Sequence, residues 1–261
     1  MSDKLLDIDL ESIAAEDANR KAALEQLNAL HFPTSKDEEW RFISLKSLSK
    51  HSYSQVEGNA SEQDLAIFGE IDGVRIVFVN GKISPDLSNL NATDAFEIEL
   101  LQSPELSHQA FEDDFFAALN RTSATANIRI KLPKNTKAER PILLYHLQVG
   151  DALNYSAPRV GIEVGALSEA TVIEHFAGST NSHVYYNNPF VAFDLGTNAQ
   201  VKHYRVQRES KSAFHIGRVQ AHVAEQANYS SYSFNFGAKL SRNDIRTIQQ
   251  GLEAHFAIDA L

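Results

Sequence analysis

Four short stretches decide the fold: Gly165…Ala170-Thr171-Val172-Ile173, Gly196…Ala199-Gln200-Val201, Ala224…Ala227-Asn228-Tyr229 and Gly251…Ala254-His255-Phe256. Each places small turn residues ahead of a β-rich run. The recurrence, at just under thirty residues, is the signature of a solenoid whose coils stack on one another. Aligning His175 with His203 would shift the first coil by one residue. Around these stretches the chain from Asn127 onward alternates apolar and polar residues with period two, as in Ile128-Arg129-Ile130-Lys131-Leu132 and Val219-Gln220-Ala221-His222-Val223. That period fits half-buried strands. A right-handed crossover would make the solenoid a parallel β-helix. The pattern alone leaves an antiparallel sandwich open.

Upstream the texture differs. Leu24, Leu27 and Leu30 fall at helical spacing in a segment rich in Ala, Glu, Lys and Leu, and Pro33 ends it. The polar stretch 47–64 reads as a linker or loop. Asn80-Gly81, between Val74-Arg75-Ile76-Val77-Phe78-Val79 and Lys82-Ile83, is a hairpin turn signal, because both residues tolerate positive φ. A second helix is expected from Ser103-Pro104, carrying Phe111, Phe115 and Leu119, with Asp113 and Asp114 on a solvated face. The expected organisation is an N-terminal α-helical region (1–60), a mixed strand and helix lead-in (61–126) and a mostly β parallel β-helix (127–261).

Composition limits the function. The 261 residues carry a net charge of −10, with 34 acidic against 24 basic residues, which disfavours nucleic acid and anionic membranes. With 43% hydrophobic and 22% charged residues the chain reads as folded. There is no cysteine, which excludes disulfides and thiolate metal sites. The N-terminus lacks signal-peptide character, and no apolar run is long enough to span a membrane, so a cytoplasmic protein is expected. A nucleophile elbow, a Walker A loop and a dinucleotide fingerprint are all missing from the sequence.

Several residues invite a functional reading beside a plainer one. His175 and His203 would stack on one solenoid face, as two ligands of a metal or as a simple histidine ladder. His215, among apolar neighbours, is a switch, a ligand or a satisfied structural residue. Lys36, Asp37, Glu38, Trp40 and Arg41 form either an aromatic anchor for a partner or a capped helix start with Trp40 packed inward. Arg242, Asn243 and Asp244 are a buried ion pair, a site or a tight turn.

Six segments then resemble a known family in order and spacing. They are Phe32-Pro33-Thr34-Ser35-Lys36-Asp37-Glu38-Glu39-Trp40-Arg41, Val77-Phe78-Val79-Asn80-Gly81, Glu174-His175-Phe176-Ala177-Gly178, His203-Tyr204-Arg205-Val206-Gln207, Ala213-Phe214-His215-Ile216-Gly217 and Leu240-Ser241-Arg242-Asn243-Asp244. Together they resemble the SufD-type members of the SufB/SufD family of iron–sulfur cluster assembly scaffolds. The resemblance implies a helical region followed by a right-handed parallel β-helix. It implies a non-catalytic scaffold that works with a SufB-like paralogue and a SufC-like ATPase. The iron–sulfur cluster belongs to the complex, and no cofactor is expected on this chain alone. A cysteine-free chain fits the SufD side, since cluster ligands are usually thiolates. Family members run further, so an incomplete solenoid is expected, with an uncapped coil prone to self-association. The residues alone leave two other classes: a β-helix polysaccharide lyase or hydrolase, which needs carboxylates on one outer face, and an adhesin-like structural solenoid.

Overall fold

The computed structural model describes residues 6–15, 17–90, 95–104 and 109–261. Helix α1 (Leu10–Ala14) is followed by α2 (Ala18–Ala29), whose first turn is capped by the Asp17 carboxylate accepting from the Arg20 backbone N–H at 2.8 Å. The backbone turns extended at Leu30, three residues before Pro33. The segment read as a linker is ordered by short 3-10 turns, Leu45–Lys50 and Glu62–Phe68, because Leu48, Tyr53, Leu65 and Phe68 are buried. Asn80 and Gly81 both take positive φ, giving the expected hairpin between Val74–Val79 and Lys82–Ile83.

From Val74 on, the chain winds into a parallel β-solenoid with two walls. The first wall stacks Val74–Val79, Ile142–Gln148, Glu169–Gly178, Gln200–Arg208, Asn228–Asn235 and His255–Ala260, each parallel to the next. The second stacks Ala126–Leu132, Pro158–Val164, Phe190–Leu195, Phe214–Val223 and Leu240–Gln249, again in parallel. This is the expected parallel β-helix behind a helical region. Its first rung, Val74–Val79, lies in the segment read as a lead-in.

The repeat is visible in the sequence because one corner recurs. Asn135, Leu167, Asn198, Gln226 and Glu253 all adopt left-handed φ, between 54° and 60°. The backbone N–H groups of the first four donate to the carbonyls of Ala166, Thr197, Glu225 and Leu252 on the following coil. Two residues before three of these corners stand Gly165, Gly196 and Gly251, where a Cβ would come within 2.5–2.7 Å of the preceding coil's backbone. The register corrects one alignment. Gln200 pairs with Asn228 and Asn228 with His255, so Ala199, Ala227 and Ala254 are equivalent. Gln200 also pairs with Glu169, so Ser168, not Ala170, holds that position one coil earlier.

Helix α3 (Phe115–Ser123) starts later than Ser103-Pro104; residues 105–108 lie outside the described residues. Its cap is Asp114, which accepts from the Ala117 N–H at 2.8 Å. Asp114 is therefore buried rather than on a solvated face. Phe116 and Leu119 join Leu24, Leu27, Phe32 and Trp40 in a core that closes over Tyr155, Tyr186, Phe214 and Ile216 on the outside of the solenoid. A second core fills the lumen, with Ile76, Phe78, Ile128, Ile130, Ile142, Leu144, Val160 and Ile162 in the early rungs.

Candidate functional site: a polar belt inside the solenoid

Along each wall strand alternate side chains point into the lumen. In the early rungs these are aliphatic or aromatic up to His146, which stacks between Phe78 and Phe176. In the middle rungs the same columns hold Glu174, then Arg205, then Ser233, in register, and Val172, His203, Ser231 beside them. A carboxylate has thus been placed where an apolar residue would ordinarily sit.

Glu174 is fully buried. Its Oε2 accepts from Arg205 Nε at 2.8 Å and from His203 Nε2 at 3.0 Å, and His146 Nε2 lies 3.7 Å from Oε1. Burial by itself would raise the Glu174 carboxyl, but the Arg205 guanidinium, with His146 and His203, holds it well below the usual carboxylate range. Burial lowers both histidines, and Glu174 offsets this only in part. The consistent state is an ionised Glu174 paired with Arg205, beside neutral imidazoles. Tyr229 completes the set with its hydroxyl 2.9 Å from His203 Nδ1.

The belt continues across the lumen. Arg205 Nη1 donates to Asn243 Oδ1 at 2.8 Å, and His215 Nε2 lies 3.0 Å from the same oxygen. His215 Nδ1 lies 2.8 Å from Glu209 Oε2. Gly217 makes this convergence possible: a Cβ there would sit 2.8 Å from Asn243 Oδ1, 3.0 Å from His215 Nε2 and 3.1 Å from Arg205 Nη2. The belt links charges and donors across the coils, with Glu174 Oε1, His146 Nε2 and the Ser231 and Ser233 hydroxyls buried without a hydrogen-bond partner. A buried polar group without a partner costs about 1–3 kcal/mol, so each member constrains the position of the next.

Of the sequence candidates, His203, Arg205, His215 and Asn243 meet in this belt. His175 does not. The register sets His203 opposite Val172 and His175 opposite Val206, so the two histidines lie on opposite sides of one wall. The expected one-face stack is thereby corrected, for a metal pair and for a ladder alike. Strand alternation gives the reason. His175 packs outside, against the Phe68 ring at 4.9 Å and near Tyr145, where burial, with Arg208 and His146, lowers it to about 4.

Arg242, Asp244 and Trp40 form a second cluster, at the seam between helical region and solenoid. Trp40 is buried, and the Arg242 guanidinium lies over its ring at 4.1 Å. Arg242 holds Asp244 with two bonds, at 2.9 and 3.0 Å, and donates to the Glu39 carbonyl. Asp244 also faces Arg218, 3.2 Å away, and Arg218 grips Asp114 at 2.8 and 3.0 Å. The plainer reading of Trp40, packed inward, is the observed one, and Arg242–Asp244 is an ion pair within a strand rather than a turn. Asp37 fixes the turn before it, accepting from the Thr34 N–H at 2.7 Å. Lys36, Glu38 and Arg41 stay exposed.

Glu209 and Arg218 were not singled out in the sequence, Glu174 entered only as the first residue of one family motif, and Asp114 was read as solvated. Glu174 carried a signal: it sits at an inward position of the run Val172-Ile173-Glu174-His175-Phe176, where the alternation calls for an apolar residue. Glu209 and Asp114 lie in connections and had none.

Among the described residues no group of three or more His, Asp or Glu is arranged to hold a metal ion, and no helix is long and apolar enough to cross a membrane. Residues 146–261 match the family described as the SUF system FeS cluster assembly, SufBD core domain. An iron–sulfur cluster assembly SufBD family protein of Synechocystis is 30% identical over 88% of this chain and 56% of its own length. The iron–sulfur cluster assembly protein SufD of Escherichia coli is 26% identical over 91% of the chain and 57% of its own length, and the chloroplastic protein ABCI7 of Arabidopsis thaliana is 26% identical over 89% and 52%. The chain spans about half the length of these relatives. The stretch that builds the belt, from His146 to Asn243, lies inside the SufBD core match, and the chain is similar over 88–91% of its length to iron–sulfur cluster assembly proteins of the SufBD family and SufD.

Proposed function

We propose that this protein is a scaffold of the SUF system that works in the cytoplasm with a SufB-like paralogue and a SufC-like ATPase, and that it catalyses no step by itself. The carrying observation is the overlap between the SufBD core match and the rungs whose lumen is tied together by buried, hydrogen-bonded polar groups. Such a lumen holds the coils in one register and gives the partners a stiff surface. The cluster is cargo of the assembly. This chain has no thiolate to offer it, so its ligands come chiefly from a partner. A polysaccharide-active reading is not favoured: such an enzyme needs carboxylates flanking a substrate, and Glu174 and Glu209 are buried and engaged.

An N-terminal affinity tag on the chromosomal gene tests this proposal. Purification under mild conditions, followed by mass spectrometry, should recover a SufB-like protein and a SufC-like ATPase in stoichiometric amounts. Recovery of the tagged protein without either one overturns the proposal.

A further inference from the structure

We infer that His215 is held in the lumen as an imidazolium, so that one proton latches the corner at Glu209 to the coil that carries Asn243. Hydrogen-bond directions carry the argument. A chain of side-chain amides is oriented from its far end. The Val56 N–H donates to Asn154 Oδ1 at 3.0 Å, Asn154 Nδ2 to Gln148 Oε1 at 2.7 Å, and Gln148 Nε2 to Asn187 Oδ1 at 2.7 Å. Asn187 is left with only its NH2 group to offer, and it donates to Glu209 Oε1. The Gly237 N–H donates to Gln207 Oε1 at 2.9 Å, so the Gln207 NH2 group faces Glu209 Oε2, at 2.8 Å. Glu209 thus receives directed donors on both oxygens and turns an acceptor toward His215.

The other face of His215 is oriented as well. Arg205 has only donors and points one at Asn243 Oδ1, while Asn243 Nδ2 donates to Asn235 Oδ1 at 3.1 Å. His215 therefore meets an acceptor at each ring nitrogen. A neutral imidazole has one N–H and would set its lone pair against an oxygen on one side. An imidazolium satisfies both. The lumen then carries Glu174 and Arg205, and His215 and Glu209, as two balanced pairs. The charged and titratable groups facing His215 are Glu209 and Arg205, with Glu174 and His146 beyond the Phe176 ring that packs edge-on against it at 4.8 Å. Tyr185 faces Glu209, its hydroxyl accepting from the Ser210 N–H.

The latch ties Glu209, between the two walls, to strand Phe214–Val223 and to its neighbour Leu240–Gln249. Loss of the proton leaves two oxygens sharing a single N–H, so raising the pH should loosen these coils.

Long-range proton–nitrogen correlation on protein labelled with 15N-histidine at pH 7.5 tests this directly. The His215 ring, in edge-on contact with Phe176 where His146 is stacked on it, should show both nitrogens protonated. A deprotonated-type shift at either nitrogen of that ring overturns the proposal. Unfolding supplies a second readout. The wild-type unfolding constant should rise about tenfold per pH unit above neutrality, for as long as the folded protein alone keeps the proton. His215→Gln should flatten that slope. Parallel slopes for the two proteins count against the latch, and the wild-type spectrum decides if the variant does not fold.

Discussion

The early and middle rungs of one lumen solve the same packing problem in different ways. Between Val74–Val79 and Pro158–Val164 the interior is filled by Ile76, Phe78, Ile128, Ile130, Leu144, Val160 and Ile162. From Glu169–Gly178 onward Val172, Phe193, Val201, Val219 and Tyr229 continue that filling, but they share the interior with Glu174, His203, Arg205, His215 and Asn243. An apolar interior is non-directional and tolerates rearrangement at similar volume. A buried polar set is directional. A slip of one residue would turn Glu174 outward and leave Arg205 unpaired inside. The middle rungs thus exchange tolerance for register.

The largest expected effect comes from breaking the charged pair. Arg205→Ala should destabilise the protein by about 3–5 kcal/mol in denaturant unfolding, because it leaves Glu174 buried and uncompensated. Glu174→Leu combined with Arg205→Met should recover most of that loss. Equal losses in single and double variants would erase the distinction between the two kinds of interior. Gly217→Ala comes next, at about 1–3 kcal/mol, since the added methyl collides with Asn243, His215 and Arg205. Wild-type stability there would show that the belt yields to pressure as a soft core does.

Acid sharpens the comparison further. Burial lowers His146, His203 and His175 in the folded protein, His175 to about 4, while the unfolded chain takes up protons below about 6.5. Their contribution is complete above that pH and is lost as pH falls, because the unfolded state then binds more protons. Glu174 adds stability above the ordinary carboxylate range that fades only at still lower pH. The melting temperature should therefore drop between pH 7 and pH 4.5, and His175→Phe should make the drop shallower. A flat profile would contradict the buried neutral histidines. The smallest effect is expected at the seam. Arg242→Gln, which removes the cation over Trp40, should cost about 0.5–2 kcal/mol. Thermal melting that shows the helical region loosening before the solenoid would locate that loss.

How much of this the sequence discloses follows from what repeats. The coil corners recur because each needs a small residue against the neighbouring backbone and a left-handed residue two positions on, as at Gly196 and Asn198. Such local demands are legible. Apart from short contacts such as His215 with Glu209, the belt is assembled from residues 22 to 39 positions apart, such as Asn187 with Glu209, His215 with Asn243 and Gln148 with Asn187, and rests on a register that the alanine pattern gave correctly only for the last three coils. His203, Arg205, His215 and Asn243 drew notice by residue type and motif, while Glu174 entered only within a motif and Glu209 not at all. His175 was misplaced because a spacing of 28 residues says nothing about which face a side chain takes when one coil is longer than the next.

The central claim is that these buried groups shape a scaffold rather than perform chemistry. It is tested most directly in a strain lacking the gene, complemented with the natural protein carrying Glu174→Leu and Arg205→Met. The account predicts that this folded, charge-free lumen restores the activity of iron–sulfur enzymes to near the wild-type level. A variant that folds, accumulates and still restores nothing would contradict it, and would place the belt in the chemistry of the assembly.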